Sequence, residues 1–405
     1  MANEQALADV KVLDFMWAMA GPAASRVLAD CGATIVRVES TKRTDVTRTL
    51  TPFLAMPPGS EDCAIQHNLN AGKLMITLDL DKPKGREIVL DLVRWADVVL
   101  DSFMAGTMRR WGFDYESLRK LKPDIIVLSS CLMGQSGPLA NYAGFGNLAA
   151  AITGFYNLTG WPDRPPAGPF SAYTDYVSPR FTVAAVLAAL DHKRRTGEGV
   201  YIDQSQGEAS LHFLTPAILD YTSNGRVEER AGNGDRELAP NGVYPAAGED
   251  RWVAIAVRSD EEWRNLCAAM ERPDLAADAR FATRAGRLEQ SEKLDALVAG
   301  WTKTREMEDI ERLLQARGVP ASAVQNSTEL VRDPQLLHRR HFVELAHPER
   351  GKTIVEGSRF TLSRTPPAVR HSAPTLGRDN QYVLKQILGY GEDKITELVV
   401  AGALE

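Results

Sequence analysis

The stretch Val10-Lys11-Val12-Leu13-Asp14-Phe15-Met16-Trp17-Ala18-Met19-Ala20-Gly21-Pro22, continued through Cys31-Gly32 to Thr34-Ile35-Val36-Arg37-Val38-Glu39, decides the architecture. Val10–Phe15 is short and apolar, as a buried strand is. Ala20–Ala29 is small, apolar and compatible with a helix. Cys31-Gly32 punctuates, and Thr34–Val38 is rich in β-branched residues. Strand, helix, glycine, strand is a βαβ unit, and such units build parallel sheets.

Working outward, Leu74–Leu80 reads as a further strand. Lys84–Trp95 reads as a helix, with Ile88, Leu92 and Trp95 at helical spacing. Val98–Leu100 and Ile125–Ser129 read as two more parallel strands, with a helix at Tyr115–Leu121 between them. The fold class expected is α/β, with a Rossmann-like, doubly wound parallel sheet and a second, smaller α/β domain. Beyond a Gly/Pro/Trp loop at Leu158–Pro169, Phe181–His192 is an Ala-rich buried helix. Lys193–Gly199 is a basic turn, Val200–Gln204 a strand and Glu208–Asn224 a long helix. The composition changes at Gly225. A strand at Trp252–Val257 and charged helices at Glu261–Met270, Ser291–Thr302 and Met307–Arg317 suit the smaller domain. Val319–Val324 and Asp333–Leu337 lead out of it, a Pro-rich stretch follows at Thr361–Pro374, and Asp379–Leu388 starts a closing helix. The expected division is 1–205 for the large domain, 206–228 for a linker helix, 229–325 for the small domain, and 326–405 for a segment returning to the large one.

Of the 405 residues 44% are hydrophobic, ample for packed cores, and 47 Lys and Arg against 53 Asp and Glu leave a net charge of −6. That balance argues against a protein that coats nucleic acid but permits a local basic patch for one anionic ligand. Cys31, Cys63, Cys131 and Cys267 form no CxxC pair. The first ten residues lack the apolar core of a signal peptide, and no apolar run reaches the ~20 residues of a membrane span. The expectation is a cytoplasmic enzyme with reduced thiols and no nucleic-acid or membrane partner.

The first βα turn invites a nucleotide, and Glu39 stands where dinucleotide enzymes keep a ribose-binding acid. Yet Met16-Trp17-Ala18-Met19-Ala20-Gly21 lacks G-x-G-x-x-G and puts bulk where a pyrophosphate needs bare backbone. No P-loop and no G-x-S-x-G elbow occurs. His338 and His341 are close but have no acidic ligand between them, so no metal site is expected. Asp175, in Ser171-Ala172-Tyr173-Thr174-Asp175-Tyr176-Val177-Ser178-Pro179, precedes a helix. By itself it reads as a cap as readily as a nucleophile.

Several segments in order resemble the class III CoA-transferases, the CaiB/BaiF family that includes formyl-CoA and crotonobetainyl-CoA transferases. They are Val12-Leu13-Asp14-Phe15 with Ala20-Gly21-Pro22, Asn68-Leu69-Asn70 with Lys73 and Leu78-Asp79-Leu80, Ala96-Asp97-Val98-Val99 with Phe103, and Met108-Arg109-Arg110-Trp111-Gly112. Gly134-Gln135-Ser136-Gly137-Pro138, Thr196-Gly197-Glu198-Gly199 and Asn241-Gly242-Val243-Tyr244 continue the run. The resemblance implies a Rossmann-like large domain, interlocked ring-shaped subunits in a dimer, coenzyme A as co-substrate, and Asp175 as the residue that carries the acyl group. It implies CoA contacts at Ala18, Lys42, Arg43, Lys73, Phe103, Arg109 and Arg110. A substrate pocket is implied at Met16, Trp17, Met19 and Phe145. Gly232-Asn233-Gly234 is either a source of N–H donors or lid there, or an ordinary linker.

The chain departs from formyl-CoA transferase at Met19 for Gln, Ser40 for Arg, Ser102 for Asn, and Phe145-Gly146 for Tyr-Glu. The loss of polar groups points to an acceptor acid with an apolar or aromatic body, such as an arylsuccinate, with succinyl-CoA as donor. A racemase of the same superfamily would need His at 145 and an acid at 146, and Phe cannot move a proton. A subunit of a heteromeric transferase is the other alternative.

Overall fold

Six parallel strands, β1 (Lys11–Phe15), β2 (Thr34–Glu39), β3 (Leu74–Thr77), β4 (Val98–Asp101), β5 (Ile126–Cys131) and β6 (Tyr201–Ser205), form one sheet in the order β3-β2-β1-β4-β5-β6. The structure is a computed structural model and describes residues 5–404. The strands read as near-continuous apolar runs because helices cover both faces. On one face Leu13, Phe15, Val36, Val38, Val99 and Val127 pack on the helix Pro83–Trp95 through Ile88, Val89, Leu92 and Val93. On the other, Val12, Ile35, Val98, Leu100, Ile126 and Leu128 pack on the helices Ala20–Asp30 and Tyr173–Thr196. The strand order reverses between β1 and β4, and in such sheets ligands bind outside the carboxyl ends at that point.

Contacts group the chain into two units. The larger holds the described residues up to Tyr156, Gly168–Glu228, and those from Gln335 onward; the smaller holds Asn157–Ala167 and Glu229–Pro334. The smaller unit contains an antiparallel sheet of β7 (Asn241–Pro245), β8 (Trp252–Ala256) and β9 (Ala321–Ala323). It has its own core around Trp263, Phe281, Leu294 and Ile310. In the larger unit the C-terminal residues add a hairpin, β10 (Phe342–His347) and β11 (Gly351–Glu356), and then close the open β3 edge. Asp379 accepts from the Met75 amide at 2.8 Å and Asn380 from the Thr77 amide at 2.9 Å. Val383, Leu384 and Leu398 join the sheet's core. An edge paired in this way presents no free ladder to another chain.

The structure differs from the expected elements at prolines. The helix expected from Phe181 starts at Tyr173 and runs through Pro179, whose missing N–H would normally break it. Glu208–Asn224 is instead two helices, Gln206–Leu211 and Thr215–Asn224, joined by a 3-10 turn before Pro216. Asp379–Leu388 is a short helical and π-helical turn, with a further helix at Glu392–Val400.

A buried ionic network sits under the first βα turn. Arg37, with no exposed surface, donates to the Met16 carbonyl and to Asp45 Oδ2. Asp45 Oδ1 accepts from the amides of Ala18 and Thr47, each at 3.0 Å. Glu39 is held by Arg48, through Nε at 2.5 Å and Nη2 at 3.1 Å, and lies 3.5 Å from Arg37. Burial alone would raise the Glu39 carboxyl, but Arg37 and Arg48 outweigh it and hold it below its ordinary value. Glu39 is therefore committed inside the protein and offers no carboxylate to a ribose. Asp45→Ala should cost about 3–5 kcal/mol, because it strands a buried guanidinium. Urea unfolding should show a lowered midpoint with an unchanged slope.

Candidate active site

The turn after β1 does two jobs on consecutive residues. Ala18 adopts a left-handed backbone, φ 59°, an uncommon conformation for a residue with a Cβ. Asp45 holds its amide from one side, and on the other the Ser102 hydroxyl accepts from the Trp17 amide at 2.8 Å. Trp17 and Met19 consequently line different cavities.

Trp17 lines a cleft of about 620 Å³ at the carboxyl ends of β1 to β4. Phe103 and Trp111 continue its aromatic wall. Trp17 and Phe103 meet edge-on with centroids 5.7 Å apart, and Phe103 and Trp111 at 5.2 Å. Lys42, Arg43 and Arg110 bring positive charge to the same cleft. Lys42 pairs with Asp79, and Arg110 donates to the Thr107 hydroxyl at 3.0 Å. Aromatic faces beside cations suit a ligand with a flat ring and phosphates.

Met19 lines a second cavity of about 270 Å³, with Ala18, Val46, Leu50, Ile65, Phe145, Asn147 and Asp175 among its walls. Asp175 is the third residue of its helix, where Ala172 is the cap. Its carboxylate bonds to groups outside that helix's own first turn. Oδ1 accepts from Gln206 Nε2, and Oδ2 accepts from the Gly146 amide at 3.3 Å. Burial pushes the Asp175 carboxyl up to about 6, against the lowering effect of those two donors. A buried acid that is still ionised at neutral pH, in the wall of an apolar cavity, can act as an oxygen nucleophile without a partner base.

The structure relocates several expected site residues. Lys73 does not line the larger cleft. It is fully buried and donates to Asn70 Oδ1 at 2.8 Å and the Pro22 carbonyl at 3.0 Å, with Asp14 at 3.5 Å. Burial brings its ammonium down to about 7, with Asp14 opposing the shift. Met16 is also fully buried, and its Cβ stands 2.4 Å from where a Cβ on Gly21 would be, so it packs the sheet and meets no ligand. Trp17 faces the larger cleft and Ala18 the smaller cavity, the reverse of their expected roles. Arg109 turns to a third cavity, lined also by Asp101 and Asp203. Lys42, Arg43, Phe103 and Arg110 do line the large cleft, while Met19 and Phe145 line the cavity with Asp175. Gly232, Asn233 and Gly234 belong to the smaller unit and line a cavity there. The Gly232 backbone lies against the Trp161 ring, where a Cβ would come within 2.2 Å. Gly146 does not open space: a Cβ there would lie 2.8 Å from Asp175 Cγ, so glycine is what lets the backbone reach the carboxylate. Gln206, absent from the sequence reading, lies 31 residues from Asp175 and outside every motif.

A doubly wound domain with a cationic, aromatic cleft and a nearby buried carboxylate is the frame of an enzyme that holds a large anionic ligand next to a candidate nucleophile. The chain matches the CoA-transferase family III over residues 7–380 and belongs to that family; it is a class III CoA-transferase. It is 32% identical to the succinyl-CoA–D-citramalate CoA-transferase of Chloroflexus aurantiacus, over 97% of this chain and 96% of that one. It is 33% identical to the succinyl-CoA:mesaconate CoA-transferase of Haloarcula hispanica, over 96% and 98%. A crystal structure of a CaiB/BaiF family protein from Brucella suis superposes with a TM-score of 0.87 at 30% identity, covering 95% of this chain and all of that one. Among the described residues no helix is long and apolar enough to cross a membrane.

The raised Asp175 carboxyl has a consequence for stability. The unfolded chain ionises this group near 3.8 and the folded protein near 6. Across that window the native state holds the extra proton, so its stability falls as pH rises and then levels off. Asp175→Asn abolishes the cost. Its stability relative to wild type should climb by about 2–3 kcal/mol between pH 4 and 7 and stay flat above, as read by denaturant titration at each pH.

Proposed function

We propose that this enzyme moves CoA from succinyl-CoA to a carboxylic acid with an apolar or aromatic body, an arylsuccinate being one example, with Asp175 as the covalent carrier. The observation that carries the reading is the Asp175 carboxylate in the wall of a cavity whose apolar side is formed by Met19, Val46, Leu50, Ile65 and Phe145, with Thr51, Asn147 and Ser171 as its other polar residues. Succinyl-CoA as donor is supported by the names of the citramalate and mesaconate relatives. No histidine lines that cavity, so an α-proton transfer has no imidazole to serve it. The larger cleft takes the CoA moiety, with Arg110, Lys42 and Arg43 at its phosphates and Trp17 and Phe103 along its apolar wall. As the resemblance implies, two such chains, or this chain and a close relative, pair as a dimer.

The carboxylate attacks the donor thioester, the C–S bond breaks, and a mixed anhydride forms as CoA thiolate leaves. The thiolate then attacks the aspartyl carbon and releases the donor acid, leaving an aspartyl-CoA thioester. The acceptor carboxylate runs these two steps in reverse. No proton or redox partner is required, and one hard exchange becomes several easier ones. The apolar walls keep water from the anhydride. They favour an acceptor that buries a ring, a gain of ~2–3 kcal/mol over a small hydrated dianion.

Two experiments test this. Assayed with succinyl-CoA against a panel of acids, the wild type should have a higher specificity constant for arylalkyl acids than for oxalate, and Met19→Gln should narrow the gap. Asp175→Ala should bind CoA yet turn over none of them; full turnover by that variant, or better use of oxalate by the wild type, would sink the respective half of the proposal. Separately, calorimetric titration with CoA should find Arg110→Ala weakened by about 1–3 kcal/mol. Lys73→Met, whose side chain lies in the core, should stay within about twofold of wild type on the same scale.

A further inference from the structure

We propose that Gln206 is a catalytic residue: its side-chain amide keeps one Asp175 oxygen as the permanent carbonyl oxygen of every acylated aspartate, so that only the other oxygen enters and leaves the reaction. The inference rests on Asp175 being the covalent carrier and says which of its two oxygens does the chemistry.

The two oxygens are gripped unequally. Oδ1 accepts from the buried side-chain amide of Gln206, and Oδ2 accepts only from the Gly146 amide at 3.3 Å. The orientation of the Gln206 amide is dictated by its neighbours. The Thr174 hydroxyl donates to the Gly146 carbonyl at 3.0 Å, so it must accept from Gln206, whose Nε2 lies 3.3 Å away. An ionised carboxylate also accepts only. Both N–H groups are therefore committed, one to Thr174 and one to Asp175. Gln206 is itself 7% exposed and is the first residue of a helix capped by Ser205 at the end of β6, a rigid mount.

The bond accounting follows. Oδ2 attacks the thioester carbon, the C–S bond breaks and CoA leaves as thiolate. The thiolate attacks Cγ, the Cγ–Oδ2 bond breaks, and the donor acid departs with Oδ2. An acceptor carboxylate oxygen attacks Cγ, and the Cγ–S bond breaks. Finally the thiolate attacks the acceptor's acyl carbon, and the acceptor oxygen stays on Asp175 in place of Oδ2. In the two middle steps Cγ is tetrahedral and the negative charge falls on Oδ1, against the Gln206 N–H. That is the geometry of an oxyanion donor.

The test uses the wild-type enzyme with succinyl-CoA and oxygen-18-labelled succinate, followed by digestion and mass analysis of the peptide containing Asp175. After many turnovers Asp175 should hold one oxygen-18 and never two, because the oxygen held by Gln206 does not trade places. Gln206→Leu should lose about 10²-fold in kcat, the usual effect of deleting one such donor, with little change in affinity for CoA. It should also acquire the second oxygen-18, because its carboxylate is free to rotate. Two labels in the wild-type Asp175, or an unchanged kcat in the variant, would overturn the proposal. The wild-type labelling decides even where the variant fails to fold. Label entering succinyl-CoA while Asp175 stays unlabelled would overturn the covalent reading itself, a result distinguishable from the other two.

Discussion

Arg37 is a guanidinium with no exposed surface in the middle of a strand, and the site is arranged around its satisfaction. An unpaired charge at that depth would be untenable, so its partners are obligatory. Besides Glu39 at 3.5 Å, they are the Met16 carbonyl at the end of β1 and Asp45, which in turn holds the Ala18 amide. The first βα turn is thus tied to the chain beyond β2 by groups that cannot be released without exposing a buried ion. The tie offsets the cost of a left-handed Ala18, which is of order 1 kcal/mol and persists only where surroundings over-determine it. Trp17 and Met19 face where they do because of that constraint.

Asp175 is held by the opposite strategy. Its carboxylate accepts hydrogen bonds from no cation, only from an amide side chain and a backbone N–H. A guanidinium there would lower the carboxyl and blunt its nucleophilicity. Neutral donors orient it while burial keeps it basic, about 6 rather than 3.8. One domain thus carries desolvated carboxylates of two kinds, one neutralised by guanidinium groups and one held only by neutral donors.

The parallel sheet was legible in the sequence because its strands are short apolar runs split by helices of clear period. Tyr115–Leu121 and Ser291–Thr302 have the expected bounds. What was lost lies at prolines and in polar, weakly patterned segments. Pro179 hid the first two turns of the helix that carries Asp175, and the β10–β11 hairpin has no strong alternation. The candidate site residues came from family resemblance, and the structure brings some of them together and separates others. Lys73 failed because a lysine's burial depends on Asp14, Pro22 and Asn70 converging in space, which no local pattern records. Arg109 and Arg110 are adjacent in sequence yet part to separate cavities, a distinction set by helix phase in the five-residue helix Thr107–Trp111. Gln206 was invisible for a simpler reason: a glutamine after a strand is commonplace until its amide is seen against a carboxylate.

The inverted backbone at Ala18 acts as a bulkhead. Trp17, the residue before it, lines the larger cleft, and Met19, the residue after it, lines the cavity that holds Asp175. A change at position 19 therefore reshapes the smaller cavity and leaves the wall of the larger cleft alone. Under the proposed function, a lineage built on this turn can explore new acids one side chain at a time while its hold on CoA stays intact.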